Sequence, residues 1–313
     1  MPASLKKLCL PRKENPCLKT VNEYLKEEYG TKIYKIALDG GFTCPNRDGT
    51  LGYGGCIFCS GAGSGDYAES SSLSITEQIE LGKRKVAAKM PAAGGKYIAY
   101  FQAFTGTYAP VDRLRLLFTE AIRHPDIAIL SVATRPDCLP PDVLALLEEL
   151  NQIKPVWVEL GLQTIHPAST AYIRRGYALS VFDEAVRNLR EAGIYTIVHV
   201  ILGLPGETEQ DMLETVRYVG KSGVQGIKLQ LLHVLEGTDL AEDYRRGAFQ
   251  TMSMEEYVSL VGKCIAALPD DITIHRMTGD GNRRTLIAPL WSLDKKRVLN
   301  ALSKHLLSNS LHM

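Results

Sequence analysis

The stretch that decides the fold is Lys32–Cys59, KIYKIALDGGFTCPNRDGTLGYGGCIFC. Its first seven residues, Lys32–Leu38, make a short apolar run of strand character. No Gly-x-Gly-x-x-Gly turn comes after it, which removes the dinucleotide-binding version of an open α/β sheet. The strand runs instead into a long loop that carries Cys44, Cys56 and Cys59 among glycines. In β/α barrels chemistry gathers on the loops after the C-terminal ends of strands, and this loop occupies such a place.

Five further strands are expected outward from it, at Lys96–Phe101, Ile127–Ala133, Val156–Leu160, Tyr195–Leu202 and Gly226–Leu232. Helical periodicity fills the gaps, at Ser74–Lys89, Val111–Arg123, Pro141–Leu150, Ser180–Ala192 and Glu209–Lys221, with one more helix at Ser253–Ala267. Ser74 with Glu77 reads as a capping box, and Gly193 as a helix stop. Six strands each followed by a helix require parallel pairing with right-handed crossovers. The expected fold is therefore α/β, a partial (β/α)6 TIM-like barrel. Residues 1–30 are its N-terminal lead-in, 31–250 the core, and 251–313 a C-terminal helical extension whose last helix starts near Ser292.

Composition narrows the class further. The 313 residues carry a net charge of +1, so no polyanionic partner is demanded. No apolar run reaches the roughly 18–20 residues of a membrane span. The first residues lack an export pattern, and the expectation is a cytoplasmic protein without a membrane partner. Basic clusters occur at Lys83–Lys85, Arg174-Arg175, Arg245-Arg246, Arg283-Arg284 and Lys295–Arg297, most of them readable as solvated helix faces. Seven cysteines, an odd number without an export signal, turn the question from disulfides to metal binding. Cys9, Cys17, Cys138 and Cys264 are scattered and read as incidental thiols, with Cys9 and Cys17 open as ligands of a second site.

Three thiolates on a glycine-rich loop suit a soft metal. A four-iron cubane held by three cysteines keeps one iron open to a further ligand. A zinc knuckle is the alternative, but zinc prefers four protein ligands. No histidine precedes His124 and no second Cys-x2-Cys exists. The spacing alone leaves both readings open.

At this point the sequence resembles the radical S-adenosylmethionine (SAM) superfamily, in the branch around the Elongator catalytic subunit and oxygen-independent coproporphyrinogen oxidase. Phe58 before Cys59 matches the Cys-x-aromatic-Cys ending of that superfamily, and the likeness runs over roughly residues 20–300. It includes Thr134–Asp137 after the third strand, Glu159–Gln163 closing the fourth, and His199–Glu207 at the fifth. A small subgroup with Gly-Phe-Thr-Cys-Pro-Asn-Arg-Asp-Gly, Phe-Gln-Ala-Phe-Thr and a terminal Thr278…Trp291 signature resembles it most.

The resemblance implies a [4Fe-4S] cluster on Cys44, Cys56 and Cys59, with SAM on the open iron and cleaved to a 5′-deoxyadenosyl radical. It also implies a reducing donor such as flavodoxin or ferredoxin. Arg175, twelve residues after Gln163, takes the SAM carboxylate in this reading, and an Arg fork suits that task. Glu159, Gln163, Gly203 and Gln230 are further cofactor contacts, while His199 is the candidate catalytic residue, with His233 a weaker one. The superfamily's Gly-Gly-Glu segment is missing, and Gln102 or Thr105 stands in its place.

The subgroup is associated with wobble-uridine modification, which implies a tRNA substrate and remodelling of a carboxymethyl-type group on uridine C5. Arg283 and Arg284 are the first candidates for phosphate contacts. No acetyltransferase domain follows in this sequence, so the full Elongator reaction is not expected of it alone. The alternatives are radical chemistry on a small-molecule or porphyrin-like substrate, and a non-catalytic zinc-bearing RNA-binding module.

Overall fold

The computed structural model describes residues 19–90, 95–279 and 281–310. In chain order the elements are α1 (Val21–Tyr29), β1 (Tyr34–Leu38), α2 (Ile75–Val86), β2 (Tyr97–Phe101), α3 (Val111–Arg123), β3 (Ile127–Thr134) and α4 (Pro141–Asn151). Next come β4 (Val156–Gln163), α5 (Pro167–Tyr172), α6 (Leu179–Glu191), β5 (Tyr195–Leu202), α7 (Glu209–Lys221), β6 (Gly226–Leu231) and β7 (Val234–Leu235). The chain closes with α8 (Asp239–Arg245), α9 (Met254–Ala266), β8 (Thr273–Arg276), β9 (Leu286–Ala288) and α10 (Lys295–Ser310).

All six expected strands are present and pair in parallel in sequence order. A seventh, β8, extends the sheet beyond β6, so the sheet has one strand more than the six-strand reading supplied. β1 and β8 are its two edges and do not pair with each other, which leaves a curled half-barrel open along one side. The outward face packs against the helices, with Leu130, Val132, Val158, Leu160, Val198 and Val200 set against Phe118, Leu146, Leu147 and Phe182. Both faces of the central strands are covered, as parallel sheets require.

The inward face is layered because side chains alternate along every strand. Ile33, Ile98, Ile129, Trp157 and Ile197 form an apolar bottom layer, sealed by Leu25 of α1. Two residues further along the same strands come Lys35, Tyr100, Ser131, Glu159 and His199, with Lys228 from β6. Two residues beyond those lie Gln102, Ala133, Gly161 and Gln230, next to the cysteine loop.

The expected lead-in therefore contains a structural plug. Thr20 and Glu23 cap α1 reciprocally, and the Ile274 N–H donates to Lys19 O at 2.9 Å, tying the plug to β8. Cys9 and Cys17 lie outside the described residues, as does Asp280.

Candidate active site

A cavity of about 1020 Å3, counting its open mouth, occupies the upper half of the barrel. Its lining includes Cys44, Cys56, Cys59, Gln102, Glu159, Gln163, Arg175, His199 and Gln230, which brings nine of the sequence-derived candidates to one place. Gly203 and His233 are not in the lining. Gly203 has φ +89° and donates its N–H to Met212 Sδ at 3.0 Å, and a Cβ there would meet Met252 Sδ at 3.2 Å. It serves the turn after β5 rather than the cavity wall. His233 stands over Gly279, whose Cβ would strike the imidazole.

The wide gap between the first two cysteines is folded rather than slack. Arg47 and Asp48 donate their N–H groups to Cys44 O, Leu51 to Pro45 O, and Gly55 to Asn46 O at 2.7 Å. Asn46 Nδ2 reaches Cys56 Sγ at 3.5 Å and Arg174 O at 2.7 Å. Arg47 Nη2 donates to Cys59 O at 3.0 Å and Ser60 O at 2.7 Å. Two residues inside the gap thus set the positions of the second and third cysteines.

Burial pushes the Cys56 thiol up to about 11, with the Cys59 and Cys44 charges adding to the rise while Asn46 and Arg135 oppose it. Burial likewise raises Cys59, against the pull of Arg47. Binding iron here must expel protons.

The donor set distinguishes the two metal readings. Tetrahedral zinc with bonds of about 2.3 Å draws its sulfurs to within ~4 Å of one another. The three thiols line one cavity, and the Cys59 and Cys44 charges both act on Cys56. Three thiols on the loop leave a four-coordinate zinc short of one donor, whereas a cubane held by three cysteines keeps one iron open.

Backbone strain concentrates at the same cavity. Among the described residues Ser64, Phe104, Gln163 and Arg174 are the non-glycine residues with positive φ, and the first three line it. Such conformations cost of order 1–3 kcal/mol and persist where a site requires them. Gln163, at φ +70°, ends β4 in a bulge against β5, and its Nε2 folds to 3.0 Å from where a Gly161 Cβ would be. Gln102 and Thr105 also line the cavity, in the place of the missing Gly-Gly-Glu segment.

Arg175 differs from expectation. It is buried, but Nε and Nη2 donate to Tyr177 O, and Nη1 donates to Leu162 O at 3.1 Å and Thr164 O at 2.6 Å. Four of five N–H groups are thereby spent on backbone, so a free fork for a carboxylate is not presented. Arg135 shares the Tyr177 ring with it, at 5.2 Å against 4.4 Å, and is held bidentately by Asp137.

Below the cysteines lies a charged layer that the sequence reading found only in part. The fully buried Glu159 carboxylate accepts from Lys35 and Ser131 on Oε1, and from Tyr100, His199 and Lys228 on Oε2. The neighbouring ammonium groups of Lys228 and Lys35 hold its pKa well below the carboxylate range despite burial. Burial, reinforced by Lys228, lowers His199 to about 4, so the ring is neutral near pH 7. An ionised carboxylate only accepts, hence His199 Nε2 carries the proton at 2.7 Å from Glu159. Lys35, Lys228 and Arg276 were missed, although Lys228 shares a strand face with the Gln230 that was singled out.

The comparisons agree with this geometry. The Radical SAM superfamily model matches residues 44–219, and the Radical_SAM C-terminal domain model matches residues 224–308. The uncharacterized protein YtqA of Bacillus subtilis (strain 168) is 46% identical over 287 residues, 92% of this chain and 88% of that protein. The tRNA uridine(34) acetyltransferase of Methanocaldococcus jannaschii is 26% identical over 164 residues, 51% of this chain and 30% of its own length. The solved structure of Methanocaldococcus infernus Elp3 with an N-terminal deletion (1–46) matches at a TM-score of 0.63 and 16% identity. That match covers 87% of this chain and 63% of the other, and it is a likeness of fold. No described helix is long and apolar enough to cross a membrane. The curled sheet, the cysteine loop at its open end and these matches together make the chain a member of the radical SAM superfamily, an enzyme whose cofactors are a [4Fe-4S] cluster and SAM.

Proposed function

We propose that this radical SAM enzyme acts on tRNA, remodelling a carboxymethyl-type substituent on C5 of the wobble uridine. The observation that carries the RNA reading is the rim of the cavity. Arg283 and Arg284 are exposed and enter no ion pair among the described residues. Most other basic clusters are neutralised, as in Lys83 with Asp126, Arg174 with Asp239, and Arg245 with Glu236. Asn282 beside the two arginines donates to Asp66 at 3.2 Å, and Ser60 just past Cys59 contacts the same carboxylate. In this reading the two arginines, adjoining the Asn282–Asp66 contact, meet phosphates flanking a splayed base. The likeness to a tRNA uridine(34) acetyltransferase supports the same substrate.

In this reading Cys44, Cys56 and Cys59 hold the cluster, with Asn46 and Arg47 fixing two of them. Gln102, Gln163 and Gln230 offer neutral hydrogen bonds along the upper wall, and Arg175 shapes the end of β4 through its carbonyl contacts. Glu159 and His199 lie one layer further in, on the substrate side. When bound, cluster and SAM supply a 5′-deoxyadenosyl radical for hydrogen abstraction beside the uridine ring. A reductant is required, with flavodoxin or ferredoxin the proposed donor.

The experiment is 5′-deoxyadenosine formation by anaerobically reconstituted protein, with and without tRNA from cells lacking this gene, followed by nucleoside analysis. Stimulation by tRNA with a changed wobble nucleoside supports the proposal. Stimulation by a protein-free metabolite extract and indifference to RNA would replace it with the small-molecule reading.

A further inference from the structure

The charged layer inside the barrel is unbalanced. Glu159 is its carboxylate, and two ammonium groups, Lys35 and Lys228, contact it. His199 is neutral near pH 7 and contributes no charge. Burial pushes Lys228 well below the usual lysine value, with Glu159 opposing the fall and Lys35 and Arg276 adding to it, so an anion bound beside it would restore its charged form. Both ammoniums also lie over the Tyr100 ring, at 4.5 Å and 4.7 Å. One carboxylate pairs with one ammonium; a second cation at this depth needs either water or another anion.

The two lysines differ in access. The Lys228 side chain is 5% exposed and that of Lys35 is 26% exposed, on the edge strand beside the open side of the barrel. Lys228 donates to Glu159 and to Tyr100 OH, which leaves one of its three N–H groups without a protein acceptor. The lysine lines the cavity, in the layer one step inward from Gln230. Arg135 and Arg175 lie nearer the cysteines, where both act on the Cys56 charge, and their hydrogen bonds go to Asp137 and to backbone carbonyls rather than to this inner layer.

We propose that this inner layer is a substrate subsite for a carboxylate, bound by Lys228 with Lys35 completing the positive charge. The inference rests on the proposed reading of the substituent as carboxymethyl-type and assigns residues to its acid group. Glu159 holds both lysines in place, and Tyr100 and Ser131 fix Glu159. The subsite rejects an uncharged substituent of the same shape, since the surplus cation then goes unmatched.

The test uses reconstituted holoenzyme with SAM and no reductant, so that nothing turns over. Its probes are anticodon stem-loops carrying 5-carboxymethyluridine or the isosteric amide 5-carbamoylmethyluridine at the wobble position, with the two free nucleosides run in parallel. The acid is expected to bind about tenfold tighter than the amide, as a charge-assisted contact provides. Lys228→Met, with full iron content as the check on folding, should reduce that preference to within about twofold. Equal binding of acid and amide by the unmodified protein overturns the subsite and leaves the RNA reading intact. If neither stem-loop binds, the RNA reading fails, and the nucleoside pair decides: acid preference supports the subsite, and its absence overturns it.

Discussion

The two ends of the cavity are built on opposite principles. At the mouth, the three cysteines sit on a loop whose shape comes from local backbone bonds and two polar side chains, Asn46 and Arg47. One turn of side chains below, Glu159, Lys35, Lys228, His199 and Tyr100 are held by strands, each fixed by its ladder neighbours. The loop can adjust around an inorganic core as it loads. The strand layer is preorganised by its ladder, with two lysines gathered on one carboxylate. A site that must accept a cofactor tolerates adaptable parts, whereas one that must select a substrate gains from rigid ones.

The comparison breaks most readily in the rigid layer. Glu159→Gln removes the fully buried carboxylate that both lysines contact, leaving Lys228 buried without its anion, and should destabilise the fold by about 3–5 kcal/mol in denaturant unfolding. A loss below ~1 kcal/mol would mean that the layer is well hydrated.

A pH titration sharpens the same point. His199 is held at about 4, below the ordinary 6.5, so the unfolded chain binds this proton more readily than the folded one. Its contribution is present above pH 6.5 and is lost as pH falls towards 4, a change of about 3 kcal/mol. His199→Gln, which retains an N–H donor without titrating, should remove that slope. Glu159 is also held well below the carboxylate range, partly by His199, so the difference between the two proteins reads this coupled pair.

Smaller effects are expected at the mouth. Asn46→Ala should weaken cluster retention about 10–100-fold, read as iron lost to a chelator, while thermal stability of the iron-free protein changes little. Arg283→Glu with Arg284→Glu should weaken tRNA binding several-fold and lower the slope of log affinity against log salt by about 2. An unchanged isotherm would remove the RNA contact from this rim.

The same contrast sets how much of the molecule was legible in the sequence. The six long strands and the helices between them announce themselves by period, and Val111–Arg123, Tyr195–Leu202 and Glu209–Lys221 have the expected bounds. The cysteine loop declares its chemistry through residue type. β8 escaped because Thr273–Arg276 is four residues long, with His275 and Arg276 among them, and no apolar run marks it.

The inner lysines escaped for a different reason. A lysine in a strand normally reads as the solvent side, but here both point into the barrel, where Lys228 is buried and Lys35 reaches solvent only beside the open edge. In β6 the residues Gly-Ile-Lys-Leu-Gln-Leu alternate, and choosing Gln230 without Lys228 missed its partner on that face. Spacing identified Arg175 but could not say that Leu162, Thr164 and Tyr177 would occupy its guanidinium.

The central claim is that mouth and inner layer divide the labour, and one paired measurement tests it. Cys56→Ala and Lys228→Met would each be reconstituted anaerobically, given reductant, SAM and tRNA, and assayed for 5′-deoxyadenosine and for the altered wobble nucleoside. The account predicts that Cys56→Ala loses both products, while Lys228→Met still cleaves SAM but loses most of the nucleoside product. A Lys228→Met protein that makes the nucleoside at the normal rate, or loses both products despite a full iron content, would contradict it.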